Sequence, residues 1–169
     1  MTNIRTLCMP LLRGRNPCVL PAVLLAAQAR GWQLFYMEQA DLYLKDGDAF
    51  ARIRPLTVRD QTSDWFQLGT GYDQPLADLD VILMRKDPPF DMEYLYTTFL
   101  LERAELEGLT VINRPASLRD SNEKLFTAWF SEFTPTTLVT RSSHKIREFH
   151  ALHRDVILKP LDGMGGACS

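Results

Sequence analysis

The chain has 169 residues, 46% apolar and 24% charged, with a formal charge of -2. That is the make-up of one ordinary folded domain, or of one domain and the beginning of another, and it excludes fibrous and disordered classes. With 19 basic against 21 acidic residues there is no global field to draw in nucleic acid or an anionic membrane, and no local basic patch replaces it. The apolar stretch 19–29 is interrupted by Pro21 and Gln28 and is too short to span a bilayer. It is followed by Gly31-Trp32 without a clear cleavage site, so a cytoplasmic protein is expected rather than an exported one.

Strands and helices alternate along the chain. Residues 4–9 predict a first strand, and 21–30 a helix with Pro21 at its start and Gly31 as its C-terminal cap. Residues 32–37 predict the second strand. Leu42 to Leu44, the Asp46-Gly47-Asp48 turn and the alternating Phe50, Arg52, Arg54 and Leu56 predict a hairpin on a sheet edge. The polar segment 60–74 reads as a loop pinned by Trp65 and Phe66. Residues 79–84 are apolar apart from Asp80, the pattern of a parallel strand covered on both faces.

A helix is expected from Asp91 to Leu100 and beyond, then a short strand at Val111 and Ile112. This order predicts a doubly wound, mostly parallel, Rossmann-like sheet with right-handed crossovers. Ser117-Leu118-Arg119-Asp120 resembles a capping box, opening a helix that ends before Pro135. Its Leu118, Leu125, Trp129 and Phe133 keep helical spacing, which predicts a core face. A second unit follows, with a strand at 136–139, an amphipathic helix at 143–153 and a partner strand at 156–159. The boundary between the two falls near Glu123, giving domains 1–122 and 123–169.

The cysteines Cys8, Cys18 and Cys168 are odd in number and lack the spacing of a zinc site or a disulfide framework. His150 and His153 can share a helix face, but no carboxylate or cysteine nearby completes a ligand set, so they read as surface histidines. No metal ligands are assigned within the chain.

Chemistry concentrates at the end, where the apolar Val156-Ile157-Leu158 delivers Lys159 into Pro160-Leu161-Asp162-Gly163-Met164-Gly165-Gly166. Glycine has no Cβ, so backbone N–H groups of such a loop can approach phosphate oxygens. A nucleotide site is the leading idea. A solvated strand-end lysine followed by a plain turn stands beside it as the alternative.

Three strings then carry a specific resemblance: 80–91 (DVILMRKDPPFD), 113–125 (NRPASLRDSNEKL) and 158–166 (LKPLDGMGG). In order and spacing they resemble the N-terminal half of the prokaryotic glutathione synthetases, ATP-grasp ligases, over residues 31–167. The resemblance implies a pre-ATP-grasp domain over 1–122 and the opening of an ATP-grasp domain over 123–169, cut off in the glycine-rich loop. It also implies ATP-dependent joining of γ-glutamylcysteine to glycine, with Lys124 and Lys159 on ATP. Gly163, Gly165 and Gly166 would form the mobile loop over the phosphates, and Arg85 would face the dipeptide. ATP and Mg²⁺ are the implied cofactors, the Mg²⁺ ligands being expected beyond Ser169, so that this portion is expected to be inactive alone. A homo-oligomer is implied for the full-length protein.

On the residues alone, Lys124 also fits a helix-surface lysine paired with a nearby acid, and Arg85-Lys86-Asp87 a salt-bridged turn. The chain departs from the family where Met9-Pro10 lacks the usual Met-Asp-Pro turn and residues 15–20 read RNPCVL. A different ATP-grasp ligase, or a non-catalytic Rossmann-like module for oligomer contacts or ligand binding, are the alternative functions.

Overall fold

The computed structural model describes residues 5–10, 19–61, 63–86 and 89–161. It divides into two compact units, Met1–Leu118 and Arg119–Ser169.

The first unit is a mixed α/β sheet of eight strands. Strand β1 (Arg5–Pro10) leads to helix α1 (Val19–Ala29) and strand β2 (Gln33–Tyr36). Gly31, with φ +79°, ends the helix as expected, and its N–H donates to the Gln28 carbonyl at 2.9 Å. Strands β3 (Leu42–Lys45) and β4 (Asp48–Val58) form the predicted hairpin. Asp46 and Gly47 both have positive φ, 56° and 94°, the backbone of a primed two-residue turn. Arg103 fastens that turn by donating from Nε to the Gly47 carbonyl at 2.8 Å.

Residues 60–74 are not simply a loop. They contain β5 (Phe66–Leu68) and β6 (Tyr72–Pro75), both antiparallel to β4. Their short lengths and polar content hide the two-residue alternation, but eleven-residue β4 offers enough backbone to pair with four strands. Strand β7 (Val81–Arg85), helix α2 (Met92–Leu106) and strand β8 (Thr110–Ile112) complete the sheet. The Asp91 carboxylate caps α2, accepting the Tyr94 N–H at 2.8 Å.

The expectation of a mostly parallel, doubly wound sheet is met in part. Strands β2, β1, β7 and β8 lie side by side and parallel, whereas β3, β4, β5 and β6 form an antiparallel half. Alternation along the strands divides the buried side chains between two cores. Leu34 and Tyr36 of β2 join Leu24 and Ala27 of α1, while Phe35 joins Ile82 and Met84 of β7 and Tyr94, Leu101 and Ala104 of α2. Strand β4 serves both: Ala49, Ala51 and Ile53 face the α2 core, and Leu56 and Val58 the α1 core. The skip from odd to even numbers marks where cover passes from one face to the other, with no break in the pleat.

Past β8 the chain departs further from expectation. Helix α3 (Pro115–Asp120) begins at Pro115, not with Ser117 as its cap, and stops at Asp120. Pro fits the first helical turn because no N–H is required there. Asn122 then accepts the N–H groups of Lys124 and Leu125 on its side-chain oxygen, at 3.1 and 2.9 Å, which starts a new turn instead of extending the helix. Phe126–Phe133 is a kinked 3₁₀ segment with Phe130 outside helical geometry (φ -126°, ψ 45°). Trp129 and Phe133 are 68% and 79% exposed, so the predicted aromatic core face is not buried within the second unit.

Helix α4 (Ser143–His153) forms where predicted, capped by Ser142. The expected strands at 136–139 and 156–159 do not form: neither segment has ladder pairing among the described residues. A strand exists only through its neighbour, and the described residues of this unit supply none.

Candidate functional site

In the first unit the four parallel strands end on one side of the sheet, and Arg85 is the last residue of β7, exposed and in register with Pro10 of β1. Ligands of open α/β sheets collect outside such carboxyl ends, because loops converge there over strands that hold them rigid. Arg85 is therefore where the sequence places it. Asp87, its suggested ion-pair partner, lies outside the described residues, as do the Cys8, Cys18 and Cys168 side chains and most of the atypical 9–20 segment.

On the same edge of the sheet, the ends of β2 and β8 carry polar groups that sequence reasoning missed. The Tyr36 hydroxyl donates to the Glu38 carboxylate at 2.7 Å. Arg54 lies 5.9 Å from the centre of the Tyr36 ring and pairs with Asp41 at 3.6 Å. Burial and then the Glu38 hydrogen bond push the Tyr36 phenol well above its ordinary value, so it stays a neutral donor at any physiological pH. Only residue 54 stood out in the sequence, as one of an alternating pair of arginines. Past β8, Arg114 shares its charge with Glu105 at 3.6 Å.

In the second unit, Lys124 sits in the Asn122-initiated turn with its side chain 19% exposed and its Nζ 3.1 Å from Glu123. The alternative of a lysine paired with a neighbouring acid is thus realised geometrically, and a charge so sheltered is also one that a phosphate would meet with little competing water. Lys159 lies exposed on a segment without ladder pairing, not on a paired strand edge. What connects the two is Asn122, whose side-chain nitrogen donates to the Leu161 carbonyl at 3.1 Å, 39 residues along the chain. The turn that bears Lys124 and the segment that bears Lys159 therefore meet. Gly163, Gly165 and Gly166 lie outside the described residues.

Among the described residues no group of three histidine, cysteine or acidic side chains is arranged to hold a metal ion. His150 and His153 are exposed on α4, and the His153 ring packs 4.3 Å from Phe149. No helix among the described residues is long and apolar enough to cross a membrane.

A mixed α/β unit followed in sequence by a unit with two lysine-bearing segments is the order that the resemblance to the glutathione synthetases implies. The comparison with known families agrees. Residues 21–119 match the prokaryotic glutathione synthetase N-terminal domain, and residues 123–168 match the prokaryotic glutathione synthetase ATP-grasp domain. The chain belongs to the prokaryotic glutathione synthetase family. It is 61% identical to the glutathione synthetase of Shewanella oneidensis and 63% identical to that of Yersinia pestis, over 145 residues each. It is 65% identical to the glutathione synthetase of Pseudomonas putida over 145 residues. In each case 86% of this chain is covered but 46% of the relative, so the chain spans about half the length of the curated relatives it matches.

Proposed function

We propose that this chain is the N-terminal portion of an ATP-dependent carboxylate–amine ligase that joins γ-glutamylcysteine to glycine. The observation that carries the proposal is the continuous likeness, above 60% identity, to glutathione synthetases through both domain matches. The geometry that supports it is the Asn122–Leu161 bond between the two lysine segments. Residues 1–122 form the Rossmann-like pre-ATP-grasp domain, doubly wound in its parallel half, and residues 123–169 open the ATP-grasp domain.

The chemistry follows from the reaction's thermodynamics. A carboxylate is a poor acyl donor, so its oxygen first attacks the γ-phosphorus of ATP, the bond to the β-bridging oxygen breaks, and ADP leaves. The glycine amine then attacks the acyl carbon of the acylphosphate, and inorganic phosphate departs with the former carboxylate oxygen. Both steps concentrate negative charge on phosphoryl oxygens. Fixed cations in a water-poor site stabilise that charge without reorganising. Lys124 and Lys159 supply two of them, and Gly163, Gly165 and Gly166 cover the phosphates so that water does not intercept the acylphosphate. Arg85 pairs with a carboxylate of the dipeptide.

ATP and Mg²⁺ are the cofactors of this scheme. The two lysines suit a polyphosphate, and among the described residues no group of three histidine, cysteine or acidic side chains is arranged for a metal; we assign the Mg²⁺ ligands to the C-terminal half of the ligase. The chain alone is then inactive. The exposed Trp129, Phe133, Ile157 and Leu158 support the same view, as surfaces on which the rest of an ATP-grasp domain packs. A cytoplasmic homo-oligomer acting on small molecules, not nucleic acid or membrane, completes the proposal.

The test joins the chain after Gly166 to the C-terminal half of the Pseudomonas putida glutathione synthetase. Phosphate release should depend on γ-glutamylcysteine, glycine and Mg-ATP together, and Lys159→Ala should lower kcat/KM by about 10²-fold. A folded, ATP-binding joined protein that is indifferent to dipeptide and glycine would instead favour a non-catalytic module.

A further inference from the structure

We propose that Asn122 is a positioning residue for the nucleotide, holding the Leu161 end of the Lys159 segment against the turn that carries Lys124. The inference rests on the ligase reading for its functional meaning, but not for its geometry. Asn122 is half-buried and uses both ends of its amide. The oxygen accepts from Lys124 and Leu125 N–H at 3.1 and 2.9 Å, and the nitrogen donates to Leu161 at 3.1 Å. Its own backbone carbonyl accepts from Phe126 N–H at 2.8 Å, so the turn is closed on itself and gives the side chain a fixed base.

The pairing of functions is specific to an amide. Aspartate and serine reproduce the acceptor role at the start of a turn, and both are good caps. Aspartate has no proton to give a carbonyl, and serine is one atom shorter. The 156–161 segment has no ladder partner among the described residues, so a bond from a distant, well-founded turn does for it what a neighbouring strand would do. Without that bond the Lys124 turn persists, while Lys159 loses a fixed relation to it. Binding a polyphosphate then costs the entropy of restoring the relation, and that cost falls on nucleotide affinity and not on the dipeptide.

Two measurements test this separately. In the ¹³C,¹⁵N-labelled 169-residue chain, Asn122→Asp and Asn122→Ser should shift the Leu161 carbonyl resonance toward its solvated value. The Lys124 and Leu125 amides should stay protected in both, whereas Asn122→Ala should expose all three sites. In the joined enzyme, Asn122→Asp should weaken binding of a non-hydrolysable ATP analogue and raise the ATP KM about tenfold, with the dipeptide KM within twofold of the parent. An unmoved Leu161 carbonyl in both capping variants overturns the tether, whatever the enzyme does. A moved carbonyl with unchanged analogue affinity overturns the nucleotide role. An inactive parent that still binds the analogue counts against the ligase reading alone.

Discussion

The Gln28 side chain pairs with both backbone groups of Val58, donating from Nε2 to its carbonyl and accepting its N–H on Oε1, each at 2.9 Å. Helix α1 thereby finishes the end of β4 as another strand would. Val58 is 2% exposed, so water cannot replace the lost partner. Gln28→Met keeps the length and removes both bonds, and should cost about 2 kcal/mol through the two buried groups left unpaired. Denaturant unfolding read by Trp32 and Trp65, which pack on this core, checks it; a change below about 0.5 kcal/mol would show the pair to be solvated.

Tyr36 predicts an alkaline limit for the first unit. Its folded-state pKa is raised, first by burial and then by Glu38, so the folded protein holds the phenolic proton more tightly than the unfolded chain. The stability it contributes is complete below the ordinary tyrosine pKa of about 10 and is lost as pH climbs above it. Tyr94, raised by burial, adds in the same direction. Tyr36→Phe should be slightly less stable at neutral pH, having lost the 2.7 Å bond to Glu38, yet should decline less steeply between about pH 10 and 12. Parallel slopes for the two proteins would contradict the assignment.

Burial also predicts where the chain opens first. The first unit holds two cores with Leu24, Ile53, Ile82 and Leu101 fully buried, whereas no described residue from Arg119 onward is buried. Each fully buried aliphatic side chain contributes roughly 2 kcal/mol, so the difference is large. Native-state hydrogen exchange should protect Ile82 and Ile53 amides far longer than those of α4. Equal protection of Ile82 and Ile146 would refute it.

Sequence reasoning found the elements whose signals are local. Gly31 ends α1 as expected, although the helix begins at Val19, two residues before the Pro21 expected to start it; Asp46-Gly47 makes its turn between two strands, and Asp91 caps α2. It failed where structure depends on partners. Strands β5 and β6 are too short and polar to announce themselves and exist because β4 offers them backbone, while residues 136–139 and 156–159 have strand composition and no neighbour. The helix drawn from Ser117 toward Pro135 broke because Asn122 captures two N–H groups, a competition that helical periodicity does not register. At the candidate site the resemblance singles out Arg85 and Lys124 and leaves out Asn122 and the Tyr36–Glu38 pair, whose contacts spacing alone does not display.

On the proposed function, this chain supplies the N-terminal part of an enzyme that activates a carboxylate by phosphorylation. The most direct measurement uses γ-glutamylcysteine labelled with ¹⁸O in the cysteinyl carboxylate, given with glycine and Mg-ATP to the joined enzyme. Attack of the carboxylate on phosphorus requires one labelled oxygen to leave in the inorganic phosphate for each glutathione formed, and Lys159→Ala should depress both products together. Glutathione formed with unlabelled phosphate, or no glutathione from a folded, ATP-binding protein, would rule out carboxylate phosphorylation by this chain.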